Sequence, residues 1–288
     1  MSVIVSPSSG SAATLPDSER LLRPGRVRMS EVIGALSVAL DLTEGQPPGH
    51  AARSCLIGMR IARRIGLSST ELGSLYYALL LKDLGCSSNA AKMCWLFGAD
   101  DRVVKRDIKS IDWTKATQSV KFAFAHASAG GSPLQKALQM AVMAREGEKG
   151  ARKLVQTRCE RGADISRMLG FPEETALAIR SLDEHWNGKG HPCGLSGEEI
   201  PLFSRIMGLA QTVEVFHATF GLEHALEVAQ KRRGKWFDPQ LVDALLLMKE
   251  EHDFWLSLQG GDLNQQMIAC EPTDEVHRAD EDDLEFRL

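Results

Sequence analysis

The chain has 288 residues, enough for one large domain or two small ones, and its 43% hydrophobic and 25% charged residues are ordinary for a globular protein. The formal net charge of −4 argues against a broad nucleic-acid surface, so nucleic acid is not an expected partner. No apolar run reaches the roughly 18–20 residues of a membrane helix. The N-terminus is only briefly apolar and has no basic segment before it, so it does not look like a secretory signal. The six cysteines form no CxxC pair, and we expect free thiols in a cytoplasmic protein.

The first residues, 1–28, are rich in Ser, Pro, Gly and Arg and lack hydrophobic periodicity, which predicts a mobile leader. From Met29 onward the apolar residues follow helical spacing. Gly45 and the proline pair at 47–48 are predicted to end this first helix, and a second one begins near Gly49.

The middle of the chain reads as a series of further helices. Ser68 and Glu71 form a capping-box pattern that opens a third helix, which is apolar on nearly every side and is therefore predicted to be central. Several shorter helices are expected within 88–147, followed by a longer one over 148–169. Pro172 suits the first turn of the next helix, because its missing N–H would have no partner there.

The C-terminal part contains a loop, 187–201, rich in Gly and Pro, and two or three more helices. One of these is opened by Asp238 and Pro239 as N-cap and first residue. The acidic, weakly periodic end predicts a tail or linker over 266–288, which leaves 29–265 as one helical domain. No segment has a convincing strand period, so the predicted fold class is all-α.

Two segments carry distinctive motifs. Residues 49–86 begin with GHAARSCLIGMRIARRIG and end with LLLKDLG, and residues 158–247 contain DEHWNGKGHPCGLSGEEIPLFSRI. Both segments are similar to the HD-GYP branch of the HD-domain metal-dependent phosphohydrolases. The first resembles the helix that carries the family's first histidine and the helix that ends in its His-Asp pair, and the second resembles the family's GYP loop. The resemblance implies an HD-domain-like multi-helix bundle with a GYP-type loop and extra helices.

The family's chemistry, according to the resemblance, is hydrolysis of a phosphodiester, typically cyclic di-GMP, assisted by two or three iron- or manganese-type ions. His50 and Asp83 stand where that family has metal ligands. Other ligand positions are changed: Gln211 replaces an aspartate, and Leu182 replaces a histidine. The remnant set consists of His50, Lys82, Asp83, Arg158, Asp183 and Glu184.

Two of the changed positions carry cations. Lys82 and Arg158 replace histidines, and neither an ammonium nor a guanidinium group offers a lone pair to a metal. Their positive charges would also repel divalent ions. The sequence therefore predicts no metal cofactor and no catalytic residue, with any residual metal restricted to His50 and Asp83. It also predicts ion pairs between these cations and the three remnant carboxylates, Asp83, Asp183 and Glu184.

The GYP-type motif reads Gly190-His191-Pro192 in this chain, with an imidazole where the family has a phenol ring. Arg205 matches a basic position that in relatives can face a nucleotide phosphate, and a surface ion pair is the competing interpretation. These four residues are the predicted ligand-binding set.

Three further features are interpreted as structural. His185 and His191 are expected at the loop surface rather than at a metal. The basic run at 231–233 is interpreted as a solvated helix end. The apolar cluster at 95–97 is expected in the core.

These patterns favour a degenerate HD-GYP-like domain that acts as a non-catalytic nucleotide-sensing, regulatory or assembly module in bacterial signalling. One alternative is an active metal-dependent cyclic di-GMP phosphodiesterase, and a second is a purely structural dimerisation domain. The partners implied are a cyclic dinucleotide, a second HD-type module or partner protein, or another copy of the chain, but not a membrane.

Overall fold

A computed structural model describes residues 27–113, 115–272 and 278–279, so most of the predicted leader and of the acidic tail lies outside the described residues. The all-α prediction is confirmed. Within the described ranges the chain forms thirteen α-helices, and its only sheet is a pair of two-residue antiparallel strands, β1 (Val27–Arg28) and β2 (Arg278–Ala279).

The helices follow one another with short connections, two of which contain a 3-10 turn, at Cys86–Asn89 and Gly197–Glu199. In chain order they are α1 (Met29–Thr43), α2 (His50–Arg64), α3 (Ser69–Leu81), α4 (Ala90–Phe97), α5 (Asp101–Ile108), α6 (Ala116–His126), α7 (Pro133–Met168), α8 (Glu173–Arg180), α9 (Leu202–Phe220), α10 (Leu222–Arg232), α11 (Pro239–Leu246), α12 (His252–Ser257) and α13 (Leu263–Cys270).

The third helix is central, as its sequence predicted. The Ser68–Glu71 capping box is present, with Ser68 Oγ accepting from the Glu71 N–H and Glu71 accepting from the Ser68 N–H. Tyr76 and Tyr77 of α3 are almost completely buried in the main hydrophobic core. Burial of an aromatic ring of this size removes a large apolar area from water, which stabilises the packing of α3 against its neighbours.

Helices α4 to α7 contribute the residues of a second, smaller hydrophobic core. The predicted helix 148–169 belongs to the much longer α7, which is interrupted at Gly147 by a left-handed backbone conformation with φ of 54°. The buried members of the smaller core are Met93, Leu96, Phe97, Val104, Phe122 and Leu154. The expectation that Trp95 belongs to the core is wrong, because its side chain points outward from α4 and is 57% exposed.

The end of α3 and the middle of α7 lie unusually close together. A Cβ atom added to Gly85 would lie 1.9 Å from the backbone oxygen of Arg158, so only glycine fits at this position. The contact fixes Asp83, just before this glycine, near the side chains that α7 carries. Pro172 serves as the N-cap of α8, one residue earlier than the sequence pattern suggested.

The C-terminal helix α13 packs on the main core, and the predicted boundary at 265/266 falls inside it. The carboxylate of Glu271, directly after this helix, accepts hydrogen bonds from Tyr77 Oη at 2.6 Å and from Ser30 Oγ at 2.9 Å. It thereby ties α1 and α3 to the end of α13. Among the described helices none combines the length and the apolar character needed to cross a bilayer.

Candidate functional site

A cavity of about 820 Å³ lies between the smaller core and the GYP-type loop, a volume typical of small-molecule sites. Its walls come from α4 to α7, from the loop and from α9. The polar residues that line it include Glu44, Lys105, Lys109, Arg158, Asp183, Glu184, His185, His191, Arg205 and Gln211. Cations, carboxylates and imidazoles from distant parts of the chain therefore face one space.

Asp83 lies beneath this cavity in a buried ion-pair network. Its carboxylate contacts the Lys82 ammonium group, and Lys109 Nζ lies 3.9 Å away. Burial by itself would raise the pKa of Asp83, but Lys82, Lys109 and His50 hold that pKa well below its usual range. The predicted pair between Lys82 and Asp83 is thus present, with both side chains out of contact with water.

His50 is fully buried at the start of α2, where its Nδ1 atom contacts the carboxylate of Glu214 on α9. Arg53 Nε donates to the same carboxylate at 2.6 Å. Burial and the nearby Lys82 lower the pKa of His50. Its Nε2 atom has no hydrogen-bond partner among the described residues.

Arg158 of α7 forms the second predicted ion pair, with Asp183 at the cavity wall. Burial opposes ionisation of Asp183, but the guanidinium group keeps the pKa of this carboxyl group below its usual range. Arg158 Nη1 also lies 4.0 Å from Cys86 Sγ, which connects this pair to the Asp83 network. Within the remnant set, Lys82 pairs with Asp83 and Arg158 pairs with Asp183, whereas His50 contacts Glu214 and Glu184 joins neither pair.

Glu184 faces the GYP-type loop instead of the cations. Its two carboxylate oxygens accept hydrogen bonds from the backbone N–H groups of Cys193, Gly194 and Leu195, at 2.6–3.1 Å. A Cβ atom on Gly190 would lie 2.2 Å from the backbone nitrogen of His185, so the loop packs tightly onto its own beginning. The role of Glu184 visible in the structure is to hold the loop in shape.

Four aromatic rings pack together at the loop. Trp113, in the α5–α6 connection, stacks on His191 with ring centres 4.9 Å apart, and His185 stacks on Trp236 at 4.0 Å. The expectation of a loop-surface role for both histidines is wrong, since each is only 5% exposed. Burial lowers the pKa of His185 to about 3. The neutral rings therefore pack as aromatic surfaces.

The basic run 231–233 also differs from its predicted role. Arg232 is buried, and its guanidinium carbon lies 4.0 Å from the Trp236 ring centre and 5.5 Å from that of Phe216. Its Nη2 donates to the backbone oxygen of Ile111 at 3.3 Å. The residue was expected in solvent because a charge run usually is, but here it joins the aromatic cluster to the α5–α6 connection.

Arg205 lines the cavity from α9 and contacts two partners. Its Nη1 donates to Asp238 at 2.7 Å, and its guanidinium group lies over the Trp186 ring at 5.7 Å. The Nε atom is buried and has no hydrogen-bond partner among the described residues. Arg205 therefore lines the cavity with one N–H donor that has no partner among the described residues.

A buried carboxyl group next to this site makes the stability of the protein depend on pH. Burial raises the pKa of Asp41 from 3.8 to about 6, with Lys82 opposing, while its Oδ1 accepts from the Ala51 N–H at 3.0 Å. Because the pKa is higher in the folded state, the stabilising contribution is complete below about pH 4 and is lost as the pH rises through about 6.

We expect the free energy of unfolding of Asp41→Asn, measured relative to that of the wild type, to be higher at pH 7 than at about pH 4. The expected increase is on the order of 3 kcal/mol. Urea unfolding at both pH values measures the difference, and the exposed Asp253→Asn is the control. A difference between Asp41→Asn and wild type that stays constant with pH would contradict the assignment.

Comparison with known proteins decides the family. An HD-domain family model matches residues 115–241. A 3'3'-cGAMP-specific phosphodiesterase of Vibrio cholerae is 43% identical over 244 residues, which are 85% of this chain and 53% of that protein. This chain belongs to the HD-domain superfamily.

Other comparisons agree with this membership. A crystal structure of a cyclic GMP-AMP-specific phosphodiesterase of Vibrio cholerae matches with a TM-score of 0.71 at 38% identity, over 91% of this chain and 58% of that one. The cyclic di-GMP phosphodiesterase response regulator RpfG of Xanthomonas campestris is 38% identical over 82 residues, 26% of this chain and 22% of that protein. The HD-domain chain spans about half the length of the first two relatives.

Two expectations from the sequence are corrected by these comparisons. The non-catalytic module is wrong as the leading interpretation, because the relative at 43% identity is a phosphodiesterase, which favours the alternative of an active enzyme. The expectation of no metal cofactor is also wrong, because the HD-domain phosphodiesterases that it resembles depend on metals. Lys82 and Arg158 exclude a metal only if its ligands must lie at the motif positions.

The structure offers a different donor set. One side-chain donor each from Glu44, Asp83 and Cys86 lies within 4.8 Å of the others, and all three residues are buried. Carboxylate oxygens and a thiolate are ligands for iron-, manganese- or zinc-type ions. Lys109 Nζ lies between the carboxylates, 3.3 Å from Glu44 Oε2 and 3.9 Å from Asp83 Oδ1. The chemistry of these donors fits a divalent ion, which would have to displace Lys109 and Lys105 from Glu44 and compete with Lys82 for Asp83.

Sequence reasoning missed two residues of this site. Glu44 follows the last residue of α1, and no motif connects it to Asp83. Trp113 lies outside both segments that resemble the HD-GYP branch. The local signal for Trp113 is its isolated position in a short connection, and Glu44 has no local signal at all.

Proposed function

We propose that this HD-domain chain takes part in the metal-dependent hydrolysis of a cyclic dinucleotide. The observation that carries the proposal is the cavity itself, which is lined on one side by Glu44 of the donor set and on the other by the GYP-type loop. The 43% identity to a 3'3'-cGAMP-specific phosphodiesterase supports 3'3'-cGAMP as the first substrate to test, and shorter matches support cyclic di-GMP.

Glu44, Asp83 and Cys86 would hold the metal, which when bound supplies Lewis-acid polarisation of the phosphodiester and activation of water. Burial raises the pKa of the Cys86 thiol well above its ordinary value, so this side chain must lose a proton to become a ligand. His50 stays neutral in this environment, because burial lowers its pKa.

The chain's own cations would bind the two phosphate groups. Arg205 Nε and Lys109 Nζ are buried and lack hydrogen-bond partners among the described residues. Both residues line the cavity, and Lys109 would have to leave the carboxylates for a metal to bind there. Charged N–H groups bind phosphate oxygens more strongly than neutral donors do. The aromatic cluster would exclude water from the far side of the substrate.

The test is an assay of the purified full chain with 3'3'-cGAMP and with cyclic di-GMP, with and without added manganese or ferrous iron, in which chromatography separates the linear dinucleotide. We expect metal-dependent linearisation that falls to background in Asp83→Asn and Glu44→Gln but persists in Asp253→Asn, whose residue is exposed on α12. Absence of turnover with every metal, or full turnover in Asp83→Asn, would overturn the proposal.

A further inference from the structure

We propose that Trp113 stacks a nucleobase of the cyclic dinucleotide and is a substrate-binding residue, an inference that rests on the proposed function. Trp113 lies in the connection between α5 and α6, where it is half-buried and lines the cavity. Its remaining exposed surface borders the space in which the substrate would bind.

The indole ring is held in place by contacts from several directions. His191 stacks on it at 4.9 Å with an interplanar angle of 26°, and His185 lies 4.9 Å away at 37°. Ser119 Oγ donates to the backbone oxygen of Trp113 at 2.7 Å, which anchors the connection to α6. A ring fixed before the ligand arrives loses little conformational freedom on binding, so stacking on it is favourable.

Unpartnered polar atoms point to a ligand beside the stack. His185 Nδ1, His191 Nδ1 and Gln211 Oε1 are buried, and none has a hydrogen-bond partner among the described residues, although all three residues line the cavity. Buried polar atoms are nearly always hydrogen-bonded in folded proteins. The edge of a purine base carries both donors and acceptors and could satisfy these atoms while the base stacks on Trp113.

The neutral state of the histidines suits this role. Burial lowers the pKa of His185 to about 3. Burial, with a smaller contribution from the positive charge of Arg152, also lowers the pKa of His191. A neutral imidazole offers one donor and one acceptor, whereas an imidazolium offers only donors. The Trp113 ring and the neutral imidazoles beside it suit an uncharged nucleobase. The cations Arg205 and Lys109, which also line the cavity, suit the phosphate groups.

The test compares Trp113→Leu with Trp113→Phe in steady-state hydrolysis of 3'3'-cGAMP by the full chain. Loss of one stacked base typically weakens binding on the order of 10- to 100-fold, so we expect the KM of Trp113→Leu to rise by about that factor while kcat changes little. Trp113→Phe retains a ring and should stay within a few-fold of the wild type. Trp95→Leu changes an exposed tryptophan outside the cavity and should leave KM unchanged.

Fluorescence separates stacking from a merely structural role. We expect 3'3'-cGAMP to quench the tryptophan emission of the wild type, and to quench that of Trp113→Phe less at equal saturation. If the wild type is active and a folded Trp113→Leu variant has an unchanged KM, the role of Trp113 is overturned while the proposed function stands. A wild-type chain that neither binds nor hydrolyses the nucleotide would overturn the proposed function, and this inference with it.

Discussion

Lys82→Met is expected to lower the free energy of unfolding by about 3–5 kcal/mol, because it leaves a buried carboxylate without its nearest cation. The Lys82 and Asp83 side chains are 0% and 3% exposed, so water cannot replace the ammonium group. Lys109 lies 3.9 Å from Asp83 and offsets part of the loss, which places the expected value toward the lower end of the range. Denaturant unfolding in the presence of a chelator measures the change.

A matched surface pair provides the control for this variant. Lys92 Nζ lies 3.8 Å from Glu146, with side chains 40% and 32% exposed, so Lys92→Met should cost less than about 1 kcal/mol. Replacing both partners, in Lys82→Met with Asp83→Leu, should recover most of the stability, since an apolar pair leaves no charge uncompensated. If Lys82→Met were as mild as Lys92→Met, the Asp83 carboxylate could not depend on this ion pair.

Glu184→Ala is expected to release the GYP-type loop and to lower the free energy of unfolding by about 3 kcal/mol or more. The carboxylate accepts from three consecutive backbone N–H groups, those of residues 193–195. Hydrogen bonds to a charged group contribute about 1.5–3 kcal/mol each, and partial exposure of the loop reduces the total. Glu184→Gln keeps one acceptor oxygen and should lose roughly half as much.

Hydrogen exchange locates the effect of this variant. The amides of residues 193–195 should lose protection in Glu184→Ala, while amides of α3 should change little. Glu199 accepts from the N–H of Ser196 in the same loop but is exposed, so Glu199→Ala should cost only about 1 kcal/mol. Unchanged protection of residues 193–195 in Glu184→Ala would show that another contact holds the loop. The loop lines the cavity, so nucleotide binding should weaken together with the loss of protection.

The helix ends show what local sequence patterns can predict. The Ser68–Glu71 box and the Asp238 N-cap, whose carboxylate accepts from the Gln240 N–H at 2.8 Å, involve residues two or three positions apart. Their partners lie in the same turn, so the pattern contains the whole interaction. The two motif segments predicted the HD-domain fold in a different way, through their resemblance to the HD-GYP branch.

The functional conclusion drawn from the motif alone was wrong for an identifiable reason. It counted ligands at the positions where relatives have them, and Lys82 and Arg158 had replaced two of these. The donor set visible in the structure instead includes Glu44, which no motif linked to Asp83. A list of lost ligands therefore cannot exclude a metal site, since a fold can bring a carboxylate from another helix to the same place.

The sequence by itself determined the all-α fold and those helix ends whose capping partners lie within one turn, because these depend on periodicity and on local contacts. The HD-domain superfamily was indicated by the resemblance of the two motif segments. Only the tertiary structure decided that Trp113 stacks on His191, that Arg232 is buried against Trp236, and that Glu44 approaches Asp83. Trp113 lies 78 positions from His191, and Glu44 lies 39 positions from Asp83. Arg232 is only four positions from Trp236, but it also donates to the backbone oxygen of Ile111, 121 positions away. Nothing in the local sequence around either partner specifies such a distance, because it is set by how whole helices bury their apolar faces.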